Sequence, residues 1–409
     1  MRISLLASFT IIFLLVSCGS NKIRIVHYNI KELNTLKIDQ KNDQLKNTKK
    51  ILAQHPFDIL SLNEIQFDRE NIPNPKAKTR GKNLQKLTVF LDLEDYSESF
   101  HPANTGEKAR PKSSGEYFLD SNTPKARSNA DQVNFGVFPA QYSTGALFRY
   151  SKVSEIVLNK LSWKTFNPSI NLRKFKTPKG LPLPSNIQLF DKNFTDVVID
   201  INGSDVHLIL LHTVPSYHFG NKKTSNYERN RDQLRFLEWY LTGKTDIAVQ
   251  IDSIRPLRKD AHYIALGDWN TDFRNIKNPG SAVLRNLFKK SKLWIPPKAL
   301  TFTHEGSGYS QSPFRLLLDY ILVSKSFQLV DGGIVHPDFK KRKELGCFET
   351  PPKYNSKEQE ALSKKKLVLI SYKDKKSKHP CYALVDALYK TLKESSDHFP
   401  LYSTLIFNP

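Results

Sequence analysis

Residues 206–211 are almost entirely aliphatic, which is typical of a strand buried on both faces. A sheet that contains such a strand must be covered on both sides, because neither face can meet water without cost. The chain is therefore expected to fold in layers. His212 follows this run directly, so the expected strand ends at a side chain capable of acid–base chemistry.

Other segments complete an alternating pattern of strands and helices. Patterns at 226–241 and 39–54 predict helices, the first with leucines at 234, 237 and 241 on one stripe. Apolar or alternating runs predict further strands at residues 23–28 (half-buried), 57–62, 263–266, 316–323 and 401–407. The order fits an α/β domain of stacked sheets with helices outside.

The charge balance indicates a polyanionic partner. The chain has 409 residues, 39% of them hydrophobic, so a sizeable core is possible and disorder is not indicated. Lys and Arg exceed Asp and Glu by 22, which favours nucleic acid, anionic lipid or a phosphorylated substrate. The alternative is a lysine-rich organism whose soluble proteins are all basic. No protein partner is indicated.

The first 17 residues have the pattern of an export signal. Arg2 precedes an apolar run at 3–16 that is too short to span a bilayer. The letters Leu-Val-Ser-Cys ending at Cys18 resemble the bacterial lipoprotein box, in which the cysteine becomes the lipidated first residue. This predicts a lipid-anchored, extracytoplasmic protein of the bacterial cell envelope, with a domain at 18–409. An ordinary signal peptide is the alternative.

Cys347 and Cys381 are the remaining cysteines, and both lie in one basic segment. In an oxidising compartment such an even set predicts a disulfide. Two free thiols are the alternative.

Three segments have the composition of insertions, near residues 101–135, 156–190 and 336–380. The first is rich in Pro, Ser, Asn, Gly and Lys and is expected to be a long loop. The second contains no acidic residue but six basic ones, and the third carries thirteen Lys or Arg against six Asp or Glu. Each can be a solvated face, or one of them can line a track of phosphates.

Single polar residues near the ends of the predicted strands carry the candidate chemistry. Glu64 closes the second strand, and Asp268 with Asn270 follows the strand at 263–266. Asp319 lies inside an apolar run, where an ionised carboxylate is costly unless it is paired or hydrogen-bonded. An acid and an imidazole stand together just before the last strand, in the pair Asp397–His398.

Taken in order, these motifs resemble the endonuclease/exonuclease/phosphatase superfamily. The resemblance runs from about residue 22 to the end, apart from the insertions, and implies a four-layer α/β sandwich of two packed β-sheets flanked by helices. It rests on Leu-Ser-Leu-Asn-Glu at 60–64, Gly-Asp-Trp-Asn at 267–270, Leu-Asp-Tyr-Ile-Leu at 318–322 and Ser-Asp-His-Phe-Pro at 396–400. Within the superfamily, two short sequence segments are most similar to deoxyribonuclease I. They are His-Thr-Val-Pro-Ser at 212–216 and a predicted strand followed by Arg149.

The resemblance implies a metal site. Glu64 is expected to hold a divalent cation with the assistance of Asn29 and Asp397. These oxygen ligands suit Mg²⁺, with Mn²⁺ as the alternative.

The resemblance also implies catalytic roles. His398, oriented by Asp319, is expected to take a proton from the attacking water, and Asp268 and Asn270 to position that water and steady the phosphorus. His212 is expected to protonate the leaving oxygen, but no acid that pairs with it can be identified. Trp269 stands where phenylalanine is more usual. The calcium sites and disulfide pattern of the animal enzyme cannot be located.

The expected function is a nuclease that cleaves DNA, or RNA as well. Arg149, Arg173, Lys174 and Lys176 are the candidate substrate-binding residues. The first alternative is a sphingomyelinase-type or other phosphoester hydrolase of the same fold, although no aromatic-rich β-hairpin is evident. The second is a non-catalytic surface binding protein. The sequence does not distinguish endo from exo action.

Overall fold

The computed structural model describes residues 22–249, 251–293, 302–337, 345–374 and 377–409. Cys18, the export signal and part of the third insertion lie outside these residues. No helix in the described part of the chain is long and apolar enough to cross a bilayer.

The described part of the chain contains β-strands and α-helices with the following bounds. The strands are β1 (Lys22–Leu33), β2 (Ile59–Ile65), β3 (Ser97–His101), β4 (Ser143–Phe148), β5 (Ser151–Leu158), β6 (Phe194–Ile201), β7 (Ser204–Leu211), β8 (His262–Asp268), β9 (Lys292–Leu293), β10 (His304–Glu305), β11 (Arg315–Leu316), β12 (Asp319–Val323), β13 (Phe327–Ile334), β14 (Leu367–Tyr372), β15 (Cys381–Asp386) and β16 (Leu401–Phe407). The α-helices are α1 (Thr35–Asp39), α2 (Asp43–Leu52), α3 (Asn83–Phe90), α4 (Pro124–Asn129), α5 (Trp163–Phe166), α6 (Asn226–Thr242), α7 (Pro279–Lys290), α8 (Ser356–Lys364) and α9 (Ala387–Ser395).

Two six-stranded sheets form the body of the protein. The first sheet has the order β13-β16-β1-β2-β4-β3, and the second has the order β5-β6-β7-β8-β12-β9. Near the middle of each sheet is one parallel pair, β1 with β2 and β7 with β8. The carboxyl ends of each parallel pair therefore lie together, which is where α/β folds place their sites.

The sheets pack face to face, with helices on their outer faces. The inter-sheet core joins residues such as Ile25 and Phe148 of the first sheet to Leu208 and Ile264 of the second. The outer face of the first sheet packs against α2 and α3, and that of the second against α6 and α7. The expected four-layer α/β sandwich is confirmed.

Two predicted strands differ from those observed. The segment at 23–28 was expected to be half-buried, but β1 is buried along most of its length because it lies inside the sandwich. The predicted strand at 316–323 is divided into β11 and β12. Between them, the backbone N–H of Leu317 donates to Asp272 (3.1 Å) and that of Leu318 to Thr303 (3.0 Å), so side chains replace the strand ladder.

The segment at 156–190 is a structural part of the domain, not a solvated face alone. Its side chains Trp163, Phe166 and Phe190 are fully buried in the core beneath α6. Arg229 of α6 is also fully buried, and its guanidinium donates to the backbone oxygens of Val133, Gln188 and Leu189. The same group donates to the Asn134 side chain at 2.8 Å. One cation therefore joins the first and second insertions.

The third insertion also packs on the domain. Its β14 pairs with β15, and side chains of this hairpin reach the inter-sheet core. Cys347 and Cys381 are joined by a disulfide, the pairing expected from the sequence, with their Cα atoms 4.6 Å apart.

Beside the outer strand β3, one ion pair crosses from the first sheet to the second. Glu155 of β5 lies 3.0 Å from His101 Nε2 and accepts a hydrogen bond from Ser99. Burial alone would raise the pKa of Glu155, but the histidine and the hydroxyl outweigh burial and lower that pKa to about 2.

Candidate active site

Polar side chains from both sheets meet at the edge where the parallel strands end. Asn29 of β1 donates through Nδ2 to Glu64 Oε1 of β2 and to Asp268 Oδ2 of β8, both at 3.1 Å. The backbone N–H of Asp268 donates to Asn63 Oδ1 at 2.8 Å. Hydrogen bonds among these polar residues therefore connect the two sheets at the candidate site.

Unusual backbone conformations at the strand ends set these side chains in place. Glu64 and Asn270 have φ values of 64° and 49°, a left-handed conformation that few residues other than glycine adopt. Gly267 has φ 151°, and a Cβ there would lie 1.7 Å from the carbonyl oxygen of Leu211. The close approach of β7 and β8 beside the site therefore requires glycine at this position.

Asp319 lies between two histidines. His398 Nδ1 is 2.7 Å from Asp319 Oδ2, and His27 Nε2 is 3.2 Å from the other oxygen. All three side chains are buried. The register that pairs Asp319 with Asp268 places this group beside the β8 carboxylate, and His398 Nε2 lies 3.7 Å from Asp268 Oδ2. Asp319 thus fixes which ring nitrogen of His398 faces the site.

The charges in this cluster shift its pKa values strongly. Burial alone would lower the pKa of His398, but Asp319 and Asp268 outweigh burial and raise it to about 10. Burial and the charge of Asp319 raise the pKa of Asp268 to about 7. The pKa of Asp319 is held far below its usual range, because its two histidine partners outweigh its burial. Strong shifts in a cluster at a strand edge are typical of functional sites.

His212 is held differently from His398. Its Nε2 lies 3.6 Å from Asp268 Oδ2, and its Nδ1 has no hydrogen-bond partner among the described residues. Burial, together with the charge of Lys192, lowers the pKa of His212 well below its usual value. The neutral imidazole therefore predominates at neutral pH. Among the described residues, therefore, no acid is hydrogen-bonded to His212 Nδ1.

The oxygen donors at the site fit a hard divalent cation. Glu64 carries a carboxylate beside the Asn29 amide, and ligand atoms of Glu64, His212 and Asp268 lie within 4.8 Å of one another. Carboxylate and amide oxygens are the ligands that such cations prefer. Asn29 would offer its amide oxygen after rotation of the amide group, because here its Nδ2 donates to Glu64. Asp397 is close enough to act on the pKa of Glu64, but its Oδ2 is 3.1 Å from Lys31 Nζ. Asp397 therefore already has a cationic partner.

Comparisons with known proteins agree with this geometry. The family model for the Endonuclease/Exonuclease/phosphatase family matches residues 27–398. The chain belongs to that family. Its members are phosphoester hydrolases, and the match covers all the candidate catalytic residues. Comparison with curated proteins found no match.

Comparison with solved structures found matches at low sequence identity. The endonuclease/exonuclease/phosphatase from Beutenbergia cavernae DSM 12333 is 12% identical, with TM-score 0.48, and the match covers 95% of this chain and 72% of that one. Sphingomyelinase C from Streptomyces griseocarneus is 12% identical, with TM-score 0.44, and the match covers 94% and 99% of the two chains. D. rerio TDP2 complexed with single strand DNA product is 13% identical, with TM-score 0.41 and coverage of 94% and 98%.

Several residues near this site were not identified from the sequence. His27 could have been found from its spacing, because it lies two residues before Asn29 and alternate residues of a strand share a face. Glu32 has φ 48°, lies near Glu64 and accepts a hydrogen bond from Tyr142 at 2.8 Å. No local sequence signal marks Glu32 or Tyr142, since they meet only through the fold.

A loop from β10 to β11 also reaches the site. The ring of His304 packs edge-on against His398, with centroids 4.9 Å apart. Ser307 donates to Asp397 Oδ2 at 2.9 Å and accepts a hydrogen bond from Lys31. This loop therefore covers one side of the candidate site.

The candidate substrate-binding residues are not gathered at the site. Arg149 follows β4 at the end where Phe148 pairs with Ile59, which is the opposite end of β2 from Glu64. There its Nε donates to the Tyr96 hydroxyl at 2.9 Å. The direction of β4 therefore carries Arg149 to the edge of the sheet opposite the catalytic cluster. Its contact with substrate stays a prediction.

The basic residues of the second insertion lie beside the loop that follows His212. Arg173 and Lys174 are exposed, and the backbone N–H of Lys176 donates to the carbonyl of Lys223 in that loop at 2.9 Å. In the described part of the chain, none of the three contacts the catalytic cluster. Their role in substrate binding stays a prediction.

Proposed function

We propose that this chain is a metal-dependent phosphodiesterase that hydrolyses nucleic acid, with DNA as the first candidate and RNA as well. One observation carries the proposal above all: Asp319 orients His398 toward Asp268 beside the pair Asn29–Glu64. A non-catalytic binding protein has no physical need for this arrangement.

The geometry supports a different catalytic role for each residue. His398 Nε2 faces the site while Nδ1 is fixed by Asp319, so Nε2 can take a proton from an attacking water. Asp268 and Asn270 line the same space and can hold that water and a phosphoryl oxygen. His212, on the β7 side, can give a proton to the leaving oxygen.

A divalent cation, which we propose to be Mg²⁺ with Mn²⁺ as the alternative, would be held by Glu64 and Asn29 and would neutralise charge on the phosphoryl oxygens. Its charge would also oppose the imidazolium form of His398. An anionic phosphate close to His212 would raise the pKa of that histidine. Both effects act in the direction that the proposed proton transfers require.

The charge of the chain supports nucleic acid over a small phosphoester. The formal surplus is +22, and removal of residues 1–17 would take away only one positive charge, that of Arg2. A small phosphoester occupies the central site alone, whereas a nucleic acid presents phosphates to basic residues around it. We propose that Arg173, Lys174 and Lys176, next to the loop after His212, contact such phosphates.

A phospholipid substrate is the second candidate, and one observation favours it. Phe314, in the loop between β10 and β11, is 67% exposed, although no aromatic hairpin was evident in the sequence. The same loop contacts Asp397 through Ser307. An exposed aromatic side chain on a loop beside the site is a feature that could enter a lipid surface.

Parallel assays test these substrates. We expect the purified protein to release product from plasmid DNA or RNA, with loss of activity in EDTA and recovery on addition of Mg²⁺. His398→Ala is the matched control for contaminating nuclease. Cleavage of sphingomyelin alone would mean that the substrate is a phospholipid. If no phosphoester were cleaved, the result would favour a non-catalytic binding protein.

Neutralising the basic segment tests the track of phosphates. The triple change Arg173→Ala, Lys174→Ala and Lys176→Ala should weaken DNA binding and flatten its dependence on salt, which on duplex DNA is a slope of about −0.9 per phosphate contacted. Hydrolysis of a small chromogenic diester should stay nearly unchanged. Equal loss on both substrates would mean that the segment supports the fold.

We also propose that the chain is exported and lipid-anchored through Cys18. The support is the apolar run and the cysteine motif in the sequence. Palmitate labelling in a bacterial host should depend on Cys18, and Cys18→Ala should move the protein out of the detergent-extracted membrane fraction. A Cys18→Ala protein that stays in the membrane would refute the anchor.

A further inference from the structure

Two aromatic side chains project from the loop that joins β7 to α6. Tyr217 and Phe219 are each 60% exposed, and their rings are 5.0 Å apart and nearly perpendicular. Exposed aromatic pairs carry a cost in water, because their apolar faces are left uncovered. The pair is therefore a candidate contact surface.

The loop holds this pair firmly. The backbone N–H of Tyr217 donates to Pro215 at 2.8 Å, and its carbonyl accepts from Asn226 Nδ2 at 3.0 Å. Phe219 has φ 47°, a conformation that is uncommon for a bulky residue. His218, between the two aromatic residues, packs inward on Tyr227. The alternation sends His218 inward and both neighbouring rings outward.

The pair lies on the same edge of the sandwich as the catalytic cluster. Its loop begins at Thr213, directly after His212, and the Thr213 carbonyl accepts hydrogen bonds from Asn270 Nδ2 and Lys192 Nζ at 3.0 and 3.1 Å. The start of the loop therefore lies beside the catalytic cluster, on the side that holds His212. A substrate strand with a phosphate next to His212 would pass the start of this loop, four to six residues before the rings.

Positive charge surrounds the rings. Lys222 and Lys223 follow them in the loop and are exposed, and exposed Arg173 and Lys174 lie in the neighbouring basic segment. A polyanion with flat apolar groups complements such a surface, because phosphates can meet the cations while the flat groups meet the rings.

We infer that Tyr217 and Phe219 stack against unpaired bases next to the cleaved phosphate, an inference that rests on the proposed nuclease function. Bases in a duplex are stacked on one another, so their faces are closed to protein side chains. Bases of a single strand present free faces, and stacking of this kind tolerates any sequence. The enzyme should therefore bind single-stranded nucleic acid through this loop.

Binding assays in EDTA distinguish the contribution of the aromatic rings to affinity from that of the basic residues. The probe is fluorescent oligothymidylate of about 20 nucleotides, longer than the typical site of about 4–16, and its partner is an abasic oligomer with the same number of phosphates. Wild-type protein should bind the thymidylate more tightly. The double change Tyr217→Ala and Phe219→Ala should weaken thymidylate binding about tenfold or more and leave abasic binding and the salt slope unchanged.

Matched variants make the result specific. The exchange Tyr217→Phe with Phe219→Tyr keeps both rings and should keep the affinity. Phe348→Ala removes an aromatic side chain that is 51% exposed in the third insertion, and it should have no effect.

Each outcome bears on one claim. The stacking inference would be overturned if the alanine variant lost binding to both oligomers equally, or lost binding to neither. In either case, nuclease activity of the wild type would still support the proposed function. If the alanine variant lost binding to anionic vesicles but bound both oligomers as the wild type does, the ligand of the rings would be a lipid bilayer and not nucleic acid bases. A wild type that neither binds nor cleaves nucleic acid would overturn the proposed function itself.

Discussion

The change Asp319→Asn tests whether the buried carboxylate orients the catalytic histidine. In the wild type, Asp319 accepts from His398 Nδ1 at 2.7 Å and contacts His27 Nε2 at 3.2 Å, and the carboxylate is buried. Asparagine has nearly the same shape but one oxygen instead of two and no charge. Its NH₂ group must face one of the two imidazoles, which turns an acceptor into a donor.

The size of the effect follows from these contacts. A hydrogen bond to a charged group contributes about 1.5–3 kcal/mol, and about 1.4 kcal/mol corresponds to a factor of ten in rate. Loss of the bond to His398 alone is therefore a loss of about tenfold to 150-fold. Complete loss of a general base costs about 10²–10⁴-fold. We expect Asp319→Asn to lower kcat by about 10²–10⁴, because the wrong ring nitrogen of His398 will carry the proton.

Two measurements check this expectation. The first is kcat on a small chromogenic diester, where contributions from distant charges are small, with His27→Ala as the matched control that removes only the longer contact. The second is NMR titration of His398 in metal-free protein, where the pKa should fall from its raised value near 10. A folded Asp319→Asn protein with kcat within threefold of wild type would refute the assignment of His398 as the base.

Three other expectations concern stability. Gly267→Ala should lower the free energy of unfolding by about 3 kcal/mol, because its Cβ would collide with a backbone oxygen, whereas Gly306→Ala, with open space around it, should change it by less than about 0.5 kcal/mol in denaturant titrations. Glu155→Gln should weaken the acid sensitivity of unfolding: a lowered carboxyl pKa gives stability that is present above about pH 4.5 and is lost as pH falls through about 2, so unfolding midpoints between these limits should depend less on pH in the variant. Alkylation of unreduced, denatured protein should leave Cys347 and Cys381 unmodified, and reduction should lower the free energy of unfolding by about 3–4 kcal/mol for a sequence separation of 34.

Several residues singled out in the sequence lie together in the structure, although their catalytic roles stay predictions. Glu64 and Asp268 stand at the ends of β2 and β8, whereas Asp319 and His398 stand at or just before the starts of β12 and β16. Because β12 and β16 run antiparallel to β8 and β1, their starts lie at the same edge of the sandwich as those ends. A buried acid such as Asp319 had to have a partner, and the structure supplies two. Local pattern and motif order were sufficient for these residues.

Contacts between distant segments could not be predicted in this way. The position of Arg149 opposite the catalytic cluster is one example, because the motif gives its place after β4 but not the direction of that strand relative to β2. The pairs Glu32–Tyr142 and His27–Asp319 join residues more than a hundred positions apart, and no local periodicity records them. The segment at 156–190 has the composition of a surface loop, yet a few aromatic side chains anchor it in the core.

The buried Arg229 makes the first two insertions dependent on each other. Its guanidinium donates to oxygens near residues 133–134 and 188–189, so shortening either segment would leave part of a buried cation without acceptors. Lysine could not replace it, because a single ammonium cannot reach acceptors spread around a planar fork. Attempts to engineer a smaller catalytic domain by trimming one insertion should therefore fail unless Arg229 is replaced at the same time.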